Sequence, residues 1–282
     1  PSWVSQKPGM DGTSRPRPIF GLPHFRLAND ATPSHHPVMA EHIESRIRLD
    51  ACLVERGLSP TRSRARDAIQ RGHVRVEGRV ETKASLAVDP DAAIAIDDPA
   101  QAYVSRAALK LKAGLDGFGV DPAGRTALDV GASTGGFTQL LIERGAAHVL
   151  AIDVGHDQMN PVIAADPRVS CIEGLNAREM TRDDLFGREF DLLVADVSFI
   201  SLTLALPPAL ELAEPGTEAV LLVKPQFEAG REAIGKGGLL RDPSQAEVVA
   251  GRLRDWLDGQ PDWQALELID SPITGGDGNR EF

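Results

Sequence analysis

Four short apolar runs, each closed by a glycine or a charged residue, most limit what this chain can fold into. They are TALDVG (126–131), HVLAIDVG (148–155), FDLLVADVS (190–198) and EAVLLVKP (218–225). A strand that is apolar throughout must be covered on both faces, and helix-like stretches separate these runs. The pattern predicts an α/β fold over residues 125–282, a parallel sheet wrapped by helices in a Rossmann-like arrangement. Ligands of such sheets bind beyond the carboxyl ends of the strands. At those ends the sequence places Gly131, Asp153, Asp196 and Lys224.

Residues 44–99 read differently. SRIRLDACLVERG predicts a short helix ending at Gly57, with Ile47, Leu49, Leu53 and Val54 as its apolar face. A second helix starts at Ser59 or Thr61 and stops at Gly72. Val74, Val76 and Val80 then suggest strands turning at Glu77-Gly78, and AAIAID closes a small α+β unit. Residues 46–83 carry ten Lys or Arg and five Asp or Glu, a balance of +5 in a chain of net charge −11. An acidic chain is a poor partner for nucleic acid overall, but where the charge lies matters more than its sum. Arg46, Arg48, Arg62, Arg64, Arg66, Arg71 and Arg75 are therefore the expected nucleic-acid-binding residues, the other reading being a solvated helix surface, with Arg62 and Arg66 on one helix face.

Residues 1–43 are rich in Pro, Ser and His without a helical or strand period, and are expected to be a disordered tail. Met39 is the expected natural start, and His35-His36 reads as solvated tail rather than a metal site. Two cysteines without CxxC spacing fit a reducing cytoplasm and no metal centre. No apolar run approaches the ~18 residues that cross a bilayer, so neither a membrane nor a secretory signal is expected. Residues 100–124 form a linker and a helix bearing Lys110.

The loop after the first run is GASTGG. Gly131 permits a tight turn, while Ser133 occupies the position where a dinucleotide fingerprint needs glycine. Asp153, 22 residues after Gly131, can accept hydrogen bonds from both hydroxyls of a ribose. Asn176 is a candidate for contacting adenine, and Gly235, Gly237 and Gly238 mark either a mobile loop from which Lys236 and Arg241 can reach phosphate or a plain surface loop.

These motifs carry several resemblances. RLDACLVERGLSPTRSRARDAIQRGHVRVEGRV resembles the S4 RNA-binding domain. The spacing G-x-x-x-G-G, with Asp129 two residues before it, resembles motif I of S-adenosylmethionine methyltransferases. Lys110, Asp196, Lys224 and Glu281, in that order, resemble the catalytic tetrad of FtsJ/RrmJ-type 2′-O-ribose methyltransferases. SRAALKL, DVGASTGGFT, ADVSFIS, VKPQFEAG, GKGG and GNREF together are similar to the TlyA, or haemolysin A, family of ribosomal RNA methyltransferases. The resemblance implies S-adenosylmethionine as cofactor, held by Asp129, Gly131, Ser133, Gly135, Gly136, Phe137, Thr138, Asp153, Val154, Asn176 and Asp196. It implies ribosomal RNA or a ribosomal subunit as partner, with cytidine as the target. The chain departs from the pattern at Ala107, where the family has glycine, and it ends one residue after Glu281, where the family continues into a strand.

A ribose hydroxyl is a poor nucleophile while protonated, so a base must take its proton as the new bond forms. Lys224 is the expected base, with Lys110 as a like-charged neighbour, Asp196 orienting Lys224, and Glu281 orienting a lysine or the ribose. The competing readings are an RNA-binding protein with an inactive methyltransferase fold, a membrane-active haemolysin and a small-molecule methyltransferase.

Overall fold

The computed structural model describes residues 46–282; the expectations for the tail, Met39 and His35-His36 lie outside the described residues. In the N-terminal unit β1 (Ile47–Arg48) runs into α1 (Leu49–Glu55). Helix α2 (Arg62–Gln70) is capped by Thr61, whose side chain accepts the Arg64 N–H. Strands β2 (Val74–Val76) and β3 (Arg79–Glu81) form a hairpin. Its two-residue turn, Glu77-Gly78, takes φ of 48° and 75°, the left-handed pair that suits the twist of a hairpin. Strand β4 (Ala87–Val88) pairs with β1, and β5 (Ile94–Ile96) pairs with β2. Leu49, Cys52, Leu53, Ala65, Ile69 and Val74 fill the core. Of the expected apolar face, Leu49 and Leu53 are fully buried, while Ile47 and Val54 pack at the margin.

The larger unit begins with α3 (Ala108–Phe118), then β6 (Thr126–Val130), α4 (Gly136–Glu143), β7 (His148–Asp153), α5 (Pro161–Ala164) and β8 (Val169–Glu173). It continues with β9 (Leu192–Ala195), α6 (Leu202–Ala205), α7 (Pro207–Leu212), β10 (Glu218–Leu221), α8 (Pro225–Glu228) and α9 (Gln245–Asp258). The sheet is parallel, in the order β10-β9-β6-β7-β8. Successive strand residues point to opposite faces. Leu128, Val130, Leu150 and Leu193 meet Leu202, Leu206, Val249 and Leu253 on one side. Ala127, Val149, Leu192 and Val194 meet Leu111, Leu115, Leu140 and Leu141 on the other. Each fully buried leucine contributes about 1.5–3 kcal/mol.

Three elements differ from the sequence reading. Helix α3, taken with the linker, packs its Ala108, Leu111 and Leu115 into the sheet's own core and belongs to the larger unit. Strand β8 was not anticipated. Strand β10 ends at Leu221, and Lys224 lies three residues further on, in extended backbone (φ −113°, ψ 93°). That extension is held by Leu222 N–H donating to the Ala195 carbonyl at 2.9 Å, and by a reciprocal pair of backbone hydrogen bonds between Val223 and Phe282.

Candidate active site at the strand tips

Register sets the geometry. Val130 pairs with both Ile152 and Ala195, and Ala195 with Leu221, so β6, β7, β9 and β10 end at one level. Beyond them opens a cleft of about 130 Å³ lined by Gly131, Ser133, Gly136, Phe137, Asp196, Ser198 and Lys224, with Ser105 and Ala107 from the segment before α3. Gly131 has φ of +85°, and a Cβ there would lie 2.8 Å from the Asp196 carbonyl oxygen, so β6 and β9 can converge only with glycine at this position. A Cβ on Gly136 would meet the Ser105 side chain at 2.8 Å, which lets the α4 N-terminus close against the incoming segment.

Asp129 lies below the loop with no exposed surface. Burial pushes its carboxyl up to about 7; the Thr138 hydroxyl partly opposes this, and the charges of Asp196 and Asp153 add to it. Its Oδ2 accepts from Thr138 Oγ1 at 2.7 Å, and its Oδ1 has no partner. A buried unpaired carboxylate oxygen is costly unless a ligand donor completes it. Asp153, at the tip of β7, accepts from Ser133 N–H (2.8 Å) and Gly155 N–H (2.7 Å). Each of its oxygens keeps a lone pair for a further donor. Ser133 adopts φ of +46° to make its contact.

The lysines and carboxylates of the expected tetrad form two pairs. Lys224 Nζ is 2.5 Å from Asp196 Oδ1 and donates to Ser198 Oγ at 2.7 Å. The approach to Asp196 is ionic, since Oδ1 has no well-aligned hydrogen bond. Lys110 pairs with Glu281, whose side chain is 2% exposed. Glu281 is set by its own carbonyl, which accepts Ser271 N–H at 2.9 Å, and by the neighbouring Val223–Phe282 pair. Each lysine therefore has its own carboxylate. Lys224 lines the strand-tip cleft, and Lys110 lines a larger groove of about 480 Å³ along the β10 edge. That groove is the larger hollow, its walls are mainly apolar residues such as Leu111, Val220, Leu222 and Trp256, and it shares Phe137 with the cleft.

Other expected residues fall outside the cleft. Val154 is exposed. Asn176 caps the turn Ala177–Glu179, accepting Arg178 N–H at 3.2 Å. Lys236 is carried on a loop tied down by buried Asn279, which accepts Leu240 N–H and donates to the Gly238 carbonyl. In the small unit Arg48, Arg62 and Arg66 all bind Asp50. Arg64 turns to the Ala100 and Val104 carbonyls, and Arg71 pairs with Asp67 and Asp98. Arg64 thus braces the joint between the units, together with Arg106 on Asp67. Arg46 and Arg75 stay exposed.

Sequence reasoning missed Ser198, Phe199 and Glu173. Ser198 follows Asp196 by two residues just past the end of β9, a spacing that could have revealed it. Phe199 is 91% exposed with φ of +66°, beside Phe227 at 5.1 Å between ring centroids. Glu173 accepts three backbone N–H groups, from Asp157, Gln158 and Met159, and so fixes the loop beyond β7. Among the described residues no group of three or more His, Cys, Asp or Glu could hold a metal, and no helix is long and apolar enough to cross a membrane.

Comparison with known proteins agrees with this architecture. The FtsJ-like methyltransferase family matches residues 103–282, and the S4 domain matches residues 47–94. The chain is 43% identical to the 16S/23S rRNA (cytidine-2′-O)-methyltransferase TlyA of Mycobacterium tuberculosis over 241 residues, 84% of this chain and 88% of that one. It is 37% identical to Hemolysin A of Brachyspira hyodysenteriae, covering 84% and 98%. A solved structure from Streptococcus thermophilus, described as a hemolysin, superposes with a TM-score of 0.63 at 35% identity, covering 84% and 86%. With its S4 domain joined to an FtsJ-like methyltransferase domain, the chain belongs to the TlyA family.

Proposed function

We propose that the protein transfers a methyl group from S-adenosylmethionine to the 2′-hydroxyl of a cytidine in ribosomal RNA. The observation that carries this reading is Lys224, a buried lysine at the cleft, 2.5 Å from Asp196 on the adjacent strand tip. The residues present fit the cofactor. The unpartnered Asp129 Oδ1 suits an ammonium, the Gly131–Gly136 backbone leaves room for close approach, and Asp153 can accept from ribose hydroxyls. When bound, the cofactor supplies a sulfonium-activated methyl, so the protein has to position the acceptor and manage one proton.

Lys224 Nζ would accept the proton that the 2′-hydroxyl gives up during transfer. Asp196 and Ser198 fix the direction of that nitrogen. Lys110 and Glu281 brace the neighbouring wall as a closed pair. Phe199, exposed one residue after Ser198 and next to Phe227, offers a face on which an unstacked base can rest. The S4 unit supplies phosphate contacts through arginine. Such a reaction belongs in the cytoplasm, where ribosomal RNA is found, and needs no metal. The test is to incubate the protein with labelled S-adenosylmethionine and ribosomal subunits or protein-free ribosomal RNA, then map ribose methylation. Label on a ribose oxygen supports the reading; label confined to bases or small molecules overturns it.

A further inference from the structure

The arginine cluster of the S4 unit is built around a single carboxylate. Asp50 has no exposed surface, yet its two oxygens take Arg48 Nε at 2.9 Å and Nη2 at 3.1 Å, Arg62 Nη2 at 3.1 Å and Arg66 Nε at 2.7 Å. The three guanidiniums come from β1 and from two positions four apart on α2. Their side chains are 48%, 50% and 50% exposed. Among the described residues none of the three has another hydrogen-bond acceptor, so each keeps N–H groups directed away from Asp50. Three positive charges on one negative leave a surface of net +2 whose donors are held in place before any ligand arrives.

We infer that Asp50 is a positioning residue for RNA binding, fanning Arg48, Arg62 and Arg66 into a fixed cradle for neighbouring phosphates of an RNA backbone. The inference rests on the RNA-substrate reading above. A free arginine loses much rotamer freedom when it grips a phosphate, whereas one already anchored through part of its fork loses less. Guanidinium also matches phosphate oxygens in a paired geometry that an ammonium lacks. A purely structural role for the cluster and a positioning role differ in sign. Removing the Asp50 charge makes the domain more basic, which by electrostatics alone strengthens RNA binding. Positioning predicts the opposite.

The experiment measures binding of the full chain to a fluorescent A-form RNA hairpin across a salt series, for the wild type and Asp50→Asn. Asp50→Asn is expected to weaken binding by about tenfold and to flatten the salt dependence by roughly one to two phosphates. Unchanged or tighter binding by a folded Asp50→Asn protein overturns the inference. If Asp50→Asn does not fold, the double variant Arg62→Lys/Arg66→Lys decides, because it conserves charge and keeps the two-pronged Arg48–Asp50 contact. Weaker binding by that variant supports the cradle, and wild-type affinity overturns it. A wild-type chain that shows no salt-dependent RNA binding refutes the RNA-substrate reading instead.

Discussion

Two aspartates of this protein, Asp50 in the S4 unit and Asp129 under the glycine loop, are both fully buried, and their surroundings are opposites. Asp50 is gripped by Arg48 first, then by Arg66 and Arg62, which hold its carboxyl well below the usual range despite its burial. Asp129 has one hydroxyl partner and one empty oxygen, and burial pushes it up to about 7. A buried charge with all its partners is architecture, and its effect is to shape what surrounds it. A buried charge missing a partner is a site waiting for one. The contrast separates the part of the chain that is complete without a ligand from the part that is not.

The largest effect expected in the incomplete region is at Lys224. Replacing it with alanine removes the proton acceptor and should lower methyl transfer by roughly 10²–10⁴-fold. Calorimetry should still show cofactor binding, because the amine acts only as the bond forms. Next comes Asp129→Asn, a neutral isostere of the protonated acid. It should leave the cofactor-free fold intact and weaken S-adenosylmethionine by about 1.5–3 kcal/mol, or roughly ten- to a hundredfold. Equal cofactor affinity in this variant would erase the contrast between the two aspartates.

Acid and alkali should treat the two regions oppositely. The folded value of Asp50 is depressed, so its contribution to stability is present above the ordinary aspartate value of 3.8 and is lost as pH falls below it. The folded value of Asp129 is raised, so this group costs the cofactor-free protein stability as pH rises from about 4 towards about 7. An ammonium placed on Oδ1 should restore the ionised form. Cofactor binding should then release up to about one proton below pH 7, fading above it. Calorimetry in buffers of different ionisation enthalpy reads this smallest effect directly, and uptake of a proton instead would place the ammonium elsewhere.

What the sequence disclosed follows the same division. Strands β6, β7, β9 and β10 were legible because their runs are apolar on both faces, and their ends located Asp153, Asp196 and Lys224. Strand β8, VSCIE, sits at the sheet edge, mostly half-buried, and has no such run to betray it. Lys110 and Glu281 lie 171 residues apart, so their pairing was readable only through a family pattern. In the S4 unit the sequence counted positive charges correctly but not their directions. Arg64 and Arg71 turn inward to backbone and aspartates, and Arg48, Arg62 and Arg66 converge on Asp50 from positions 2, 12 and 16 residues away. Periodicity shows which residues share a helix face, but not which carboxylate another element brings beneath it.

The central claim is that Lys224 accepts a proton at the strand-tip cleft while the S4 unit holds the RNA. Lys224→Arg tests it most directly, because it keeps the positive charge and the contact with Asp196 but cannot give up a proton. Ribose methylation should be mapped in ribosomal RNA treated with wild-type and Lys224→Arg protein at matched RNA occupancy. The wild type should leave a 2′-O-methyl cytidine, and the arginine variant should leave the same position unmodified. A methyl mark placed by the arginine variant at close to the wild-type rate would contradict the claim and make Lys224 an electrostatic anchor.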